Sequence, residues 1–322
     1  MRHWQNDSVT QSLKSFTAGK EYDVIWFCDL VLWPYVKKAF PKHYKLILDR
    51  SRVDWLFQAE ELRTLEQSWV QKLMRMENIW KVSRIERELI HELDLMIVCG
   101  PDDKAFLQSK VGPQDNIWVL PNGANEMFFN ASSFPQEPAS NPTALFCGAL
   151  DYVPNIDALQ WYAEDIHPQI LKARPDYSLT LVGKNPTDAI KAMAHIKGIN
   201  FVGEVPDVRH YYQNAWFQIV PLRIGGGTRL KIAEGLCLSN PVISTTLGAQ
   251  GLELRDEEHL LLADESASFA KACLRLISDD SLRRKLGKSG RDKILKSYTW
   301  QAIGRRLVEK ANSILKQEVT TK

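Results

Sequence analysis

WFQIVPLRIGGGTRLKIAE, residues 216–234, is the stretch from which the fold can be read. Trp216–Val220 is a short apolar run of the kind that forms a buried strand, and the residues after Thr228 open a helix. Between them stand Gly225, Gly226 and Gly227. Three glycines let the backbone approach an anion without Cβ interference, and the first N–H groups of a helix have no partner inside it. Thr228 closes the loop, Arg229 and Lys231 add fixed positive charge, and Glu234 is the first carboxylate on the helix. Strand, glycine loop, helix is a phosphate-binding order. A tight turn leading into a solvated basic helix would use the same residues, so the surroundings must decide. The loop lacks the Lys-Ser/Thr pair that closes a P-loop, and no GxGxxG occurs in the chain.

Working outward, strands alternate with helices on both sides of this loop. Upstream, Ala144–Cys147, Ser178–Val182 and Ile199–Val202 read as strands, each followed by a glycine: Gly148, Gly183 with Lys184, and Gly203. Downstream, Pro241–Ser244 and His259–Leu262 are short strands, and helices run from about Glu265 to the end with breaks near Asp279 and Tyr298. The carboxyl ends of parallel strands share one edge of the sheet, where ligands bind. A phosphate-bearing ligand would there meet Lys184, Arg229, Lys231 and the loop together.

The same grammar occurs nearer the N-terminus. Tyr22–Cys28, Tyr44–Leu48, Asp94–Cys99 and Ile117–Leu120 read as strands, with helices at Val31–Phe40 and Pro101–Lys110. A long helix is expected over Phe57–Leu93, where no Pro or Gly interrupts. Its basic residues interleave with Trp69, Leu73, Met76 and Trp80, a pattern that suits a helix on its own domain, a membrane surface or a partner. Asp49 and Arg50, at a strand end, are expected to form a salt bridge. Residues 131–143 are rich in Ser, Pro, Asn and Gln and mark the domain boundary. The expectation is an α/β fold of two Rossmann-like domains with parallel sheets facing a cleft. They cover residues 1–135 and 136–298, and a C-terminal helix over 299–322 returns toward the first.

Composition narrows the function. The chain has 322 residues, 44% hydrophobic and 25% charged, with net charge +2. That balance opposes nucleic-acid binding by bulk electrostatics. Cys28, Cys99, Cys147, Cys237 and Cys273 are odd in number and widely spaced, which suits a reduced, cytoplasmic protein with neither a disulfide framework nor a metal site. No apolar run approaches the length of a membrane span.

The second half resembles the C-terminal domain of glycosyltransferase family 4, whose GT-B fold pairs two Rossmann-like domains. The resemblance is carried in order by FCGALDYVPNIDAL (146–159), LTLVGKNP (179–186), INFVGEVPDVRHYY (199–212), PLRIGGGTRLKIAEGLCLSNPVISTTLGAQGL (221–252) and YTWQAIGRRL (298–307). WVLPNGANEMFF (118–129) is similar to the family's approach to the interdomain linker. The variety most alike is the bacterial sugar transferase of surface-polysaccharide pathways.

The resemblance implies retaining, metal-independent transfer of a sugar from a nucleotide-diphosphate donor to a glycan or lipid-linked acceptor, without a further cofactor. It places Gly148, Lys184, Val205 and Gly225–Thr228 around the donor. Arg229 and Lys231 would lie beside the diphosphate, Glu234 on the ribose hydroxyls, and Val205 beside the base. Arg229 and Lys231 would stabilise the leaving group, and no catalytic base is assigned. The family's first glutamate of a pair falls at Gly226. The family's first strand, glycine-containing loop and first helices have no counterpart before Tyr22, so the N-terminal domain is expected to be incomplete, with a homodimer partner or second chain covering its edge. Two other functions fit the same residues: a non-catalytic or split nucleotide-sugar-binding protein, and a nucleotide-sugar epimerase. Peripheral contact with the inner face of the cytoplasmic membrane is a further expectation.

Overall fold

A computed structural model describes residues 6–40, 44–64, 68–129, 139–225 and 228–316. Contacts divide the chain into two units. One takes in Met1–Pro121, Gly226–Thr228 and Gly304–Lys322, and the other Asn122–Gly225 and Arg229–Ile303. The boundary expected at residue 135 lies outside the described residues.

The first unit is built on four parallel strands, β1 Val24–Cys28, β2 Lys45–Arg50, β3 Leu95–Val98 and β4 Ile117–Val119, lying side by side in chain order. Alternate residues point to opposite faces of a strand. Ile25, Phe27, Leu48, Met96 and Val98 accordingly share one face, where they pack with Leu30, Trp33, Val36, Leu89 and Leu107 in a buried cluster. The helices within Met1–Pro121 are α1 Asp7–Thr17, α2 Trp33–Ala39, α3 Asp54–Thr64, α4 Trp69–Ile90 and α5 Pro101–Val111.

Two expectations need correction here. The long helix over Phe57–Leu93 is two helices, α3 and α4. Ser68 caps the second: its hydroxyl accepts from Gln71 N at 3.4 Å, and Gln71 Oε1 accepts from Ser68 N at 3.0 Å. This reciprocal box satisfies N–H groups that a continuous helix would have bonded internally. The salt bridge between Asp49 and Arg50 does not form, because neighbours along a strand face opposite ways. Arg50 is instead buried against Glu86 of α4 and lies 2.8 Å from Asp54 of α3, whereas Asp49 accepts a hydrogen bond from the Trp26 side chain.

The second unit has six parallel strands: β5 Thr143–Cys147, β6 Ser178–Val182, β7 Ile199–Gly203, β8 Phe217–Val220, β9 Val242–Ser244 and β10 Leu261–Leu262. Their spatial order is β10-β9-β8-β5-β6-β7. The chain winds outward from β5 in one direction and from β8 in the other, so the order reverses between these neighbours. Helices α6 Val153–Trp161, α7 His167–Ala173, α8 Asp188–Ala192, α9 Arg209–Asn214, α10 Leu230–Cys237, α11 Ser266–Ser278 and α12 Asp280–Ser297 accompany the sheet, and α13 Trp300–Lys316 follows, with its residues from Gly304 onward belonging to the first unit. A π-helical turn, Tyr162–Ile166, makes α6 and α7 continuous. Phe146, Leu181, Ile219 and Ile243 belong to one buried cluster, and Leu145, Val182, Val220 and Val242 to another. That double burial explains why these strands read as unbroken apolar runs.

Candidate functional site

The reversal between β5 and β8 decides where the site forms. In open α/β sheets the crevice beyond the carboxyl ends of strands at such a switch point is where ligands bind. Gly148 follows β5 there, and the PLRIGGG loop follows β8.

Gly148 has a φ of +158°, and its N–H donates to Val182 O at 3.1 Å. A Cβ on this residue would lie 2.8 Å from Lys231 Nζ and 3.0 Å from Asn155 Nδ2. The glycine is therefore a gap in the wall through which two polar side chains reach the strand end. Gly183, at the end of β6, has even less room, because a Cβ there would collide with Gly148 O. Its N–H donates to Gly203 O at 2.8 Å, which ties the ends of β6 and β7 together.

Lys231, in the first turn of α10, is the central cation of the site. Its Nζ donates to Asn155 Oδ1 at 2.8 Å and stands 4.4 Å from the centre of the Phe146 ring. Burial pulls its pKa down to about 8, an effect opposed by Cys147 and Glu234 and reinforced by the Arg229 charge. Glu234, one turn further on, has its pKa raised by burial against the pull of Lys231. Arg229 occupies the N-cap of α10 and is buried. A Cβ on Gly225, which has a φ of +120°, would stand 3.1 Å from Arg229 Nη2. Arg229, Lys231 and Glu234 thus gather at the start of one helix, whose dipole adds to the positive potential there.

Other expected residues fall differently. Gly226 and Gly227 lie outside the described residues, and Thr228 is grouped by its contacts with the first unit. Lys184 is exposed, and its backbone carbonyl accepts from Leu150 N at 2.8 Å. Val205, two residues beyond β7, packs against the core cluster that contains Ile232 and Leu236 of α10.

Asn155 was not singled out by sequence reasoning. Besides receiving Lys231, it donates through Nδ2 to Ala149 O at 2.7 Å, so it braces the turn after β5. Its only local signal is the Pro154–Asn155 pair at a helix start. Thr245, after β9, donates to Leu222 O and accepts from Gly248 N at 2.8 Å, which fastens the next strand end to the PLRIGGG loop. The site can therefore neutralise an anion with two cations and a helix start, and Glu234 can accept hydrogen bonds from hydroxyls.

With this geometry in place, residues 141–279 match the family model described as glycosyl transferases group 1. Sucrose-phosphate synthase from Thermosynechococcus elongatus superimposes with a TM-score of 0.72 over 97% of this chain and 78% of its own, at 20% identity. The fold is GT-B-like. HepE of Anabaena, crystallised with UDP and glucose, gives a TM-score of 0.68 over 95% of this chain and 81% of its own, at 13% identity. Among curated proteins, a 44.6 kDa uncharacterised protein from the cps region of Klebsiella pneumoniae is 31% identical over 41% of this chain and 36% of its own length. The phosphatidyl-myo-inositol mannosyltransferase of Mycobacterium leprae is 25% identical over 59% of this chain and 51% of its own. These matches span at most about half the length of those curated relatives.

Proposed function

We propose that this protein is a retaining glycosyltransferase of family 4 that moves a sugar from a nucleotide-diphosphate donor to a glycan or lipid-linked acceptor, independently of a metal. The observation that carries this reading is Lys231, half-buried, bonded to Asn155 and set beside Arg229 at the switch point of the sheet. Two cations there suit a diphosphate better than a neutral ligand. The match of residues 141–279 to group 1 glycosyl transferases supports the same reading.

In this mechanism the bond from the anomeric carbon to the diphosphate oxygen breaks. A bond from that carbon to an acceptor hydroxyl oxygen forms with net retention, and the hydroxyl proton leaves with the diphosphate. Arg229, Lys231 and the start of α10 stabilise the negative charge that grows on the leaving group. Glu234 accepts from the ribose hydroxyls, Gly148 and Gly225–Thr228 let the phosphates come close, Val205 flanks the base, and Lys184 adds charge at the strand ends. The second unit takes the donor and the first the acceptor. The protein works in the cytoplasm, without a cofactor beyond the nucleotide sugar. A homodimer or partner chain on the first unit belongs to the same reading.

Calorimetry with a panel of nucleoside diphosphates and their nucleosides tests the donor site. Arg229→Ala and Lys231→Ala are expected to weaken the diphosphates at least tenfold and leave the nucleosides nearly unchanged. Equal losses for both would remove these residues from the diphosphate. Release of free nucleotide from the matching nucleotide sugar, faster with acceptor present, tests transfer. Binding without turnover would point to a non-catalytic or split binding protein, and isomerisation of the donor alone to an epimerase.

A further inference from the structure

The residues that lead from β8 into the glycines are pinned one after another. Leu222 and Ile224 are buried, whereas Arg223 between them turns outward. Leu222 O accepts from Thr245 Oγ1 on one side of the loop. On the other, Arg223 forks onto Asp157 of α6: Nε donates to Oδ2 at 3.0 Å and Nη2 to Oδ1 at 2.6 Å. The guanidinium also lies 5.4 Å from the centre of the Trp161 ring, one turn further along α6. The side chain of Pro154, at the start of the same helix, comes within 3.7 Å of where a Cβ on Gly225 would stand. Asn155 and Asp157 are two residues apart and so leave α6 on different sides. The first holds Lys231 and the second Arg223, so the start of one helix grips both flanks of the loop.

We propose that Asp157 and Arg223 are a positioning pair for the diphosphate: the fork holds residues 221–225 in the shape that admits the phosphates, and neither side chain touches the ligand. A glycine-rich loop has much conformational freedom to lose, so its shape must be imposed by contacts outside the glycines. The pair sits at the rim, with side-chain exposures of 42% for Arg223 and 14% for Asp157. An ion pair partly in water adds little to stability. A planar, bidentate fork fixes direction as well as distance, which is what a loop needs and what a lysine could not supply. The inference rests on the donor-site reading and adds to it the device that shapes the loop.

Calorimetry and ligand-free hydrogen exchange test it together. Asp157→Asn keeps the shape of the side chain, removes its charge and releases Arg223. It is expected to lower nucleoside diphosphate affinity about tenfold, with little change in nucleoside affinity or melting temperature. Arg223→Lys should lose as much, and the double variant no more than either alone, because both act through one fork. Exchange over residues 221–225 should quicken in Asp157→Asn. Asp176→Asn breaks the similar fork from Arg174 at the opposite edge of the sheet and should alter neither affinity nor loop exchange. Undiminished diphosphate affinity in Asp157→Asn overturns the proposal and marks Arg223 as a direct phosphate contact. Additive losses in the double variant, or unchanged exchange over the loop, also overturn it. A parent protein that binds no nucleoside diphosphate overturns the donor-site reading itself and this proposal with it, a result distinct from intact binding that ignores the fork.

Discussion

Lys231 of α10 and Asn155 of α6 are joined by a 2.8 Å hydrogen bond from Nζ to Oδ1, although 76 residues separate them in the chain. The bond aims a half-buried cation at the strand end left open by Gly148. Without the amide, the ammonium would lose a fixed direction and the turn at Ala149 its brace. Asn155→Leu is therefore expected to cost about 1–3 kcal/mol of stability, as for a buried hydrogen-bonding group removed from its partners. It should weaken nucleoside diphosphate more than nucleoside. Chemical denaturation and calorimetry check the two effects separately, and an unchanged diphosphate affinity would count against this role.

The pKa of Lys231 sets a pH dependence. Burial pulls it from 10.5 down to about 8. Between these values the unfolded chain holds the proton and the folded one releases it, so unfolding takes up protons and the stability contribution rises with pH across that window. Below about pH 8 both states are charged and the burial cost is present in full. Ligand binding has the opposite trend, because the neutral amine no longer attracts a phosphate. Diphosphate affinity in the parent protein should fall above pH 8 by up to roughly tenfold per unit. Lys231→Ala should remove that dependence. Calorimetry across pH 6.5 to about 9.5 is the check.

Gly148 and Gly183 are expected to respond differently to alanine. At Gly148 the new Cβ meets the ends of two side chains, Lys231 and Asn155, which can swing aside. Gly148→Ala should lose diphosphate binding with modest change in melting temperature. At Gly183 it meets the Gly148 carbonyl, which is backbone. Gly183→Ala should cost about 1–3 kcal/mol or more from overpacking. Comparable melting temperatures for the two variants would contradict this.

In the first unit, Arg50 lies buried between Glu86 and Asp54. Glu86→Leu leaves the guanidinium with one carboxylate and should cost about 3–5 kcal/mol. Replacing both members, Arg50→Met with Glu86→Leu, should cost clearly less than the sum of the single changes, because no uncompensated charge remains. Denaturant titration of the four proteins in this cycle measures the coupling.

The alternation of strands and helices was legible along the whole chain, because apolar runs, glycine ends and helix starts are local signals. The loop at Gly225–Thr228 stood out by composition alone, and Gly226 and Gly227 lie outside the described residues. The break at Ser68 was less visible, since a single capping residue competes there with strong helical spacing on both sides. Asn155 carried almost no signal, because an asparagine near a helix start is ordinary until its long-range partner is known.

By itself, then, the sequence determined the α/β class, the strands and the cationic helix start, all of which follow from periodicity and backbone freedom within a few residues. Only the tertiary structure decided the order β10-β9-β8-β5-β6-β7, the union of Lys231 with Asn155, the turn of Arg50 away from Asp49, and the fork of Arg223 on Asp157. These depend on which distant elements become neighbours and which face of each they cover. Period and composition do not encode that choice; packing of the whole chain makes it.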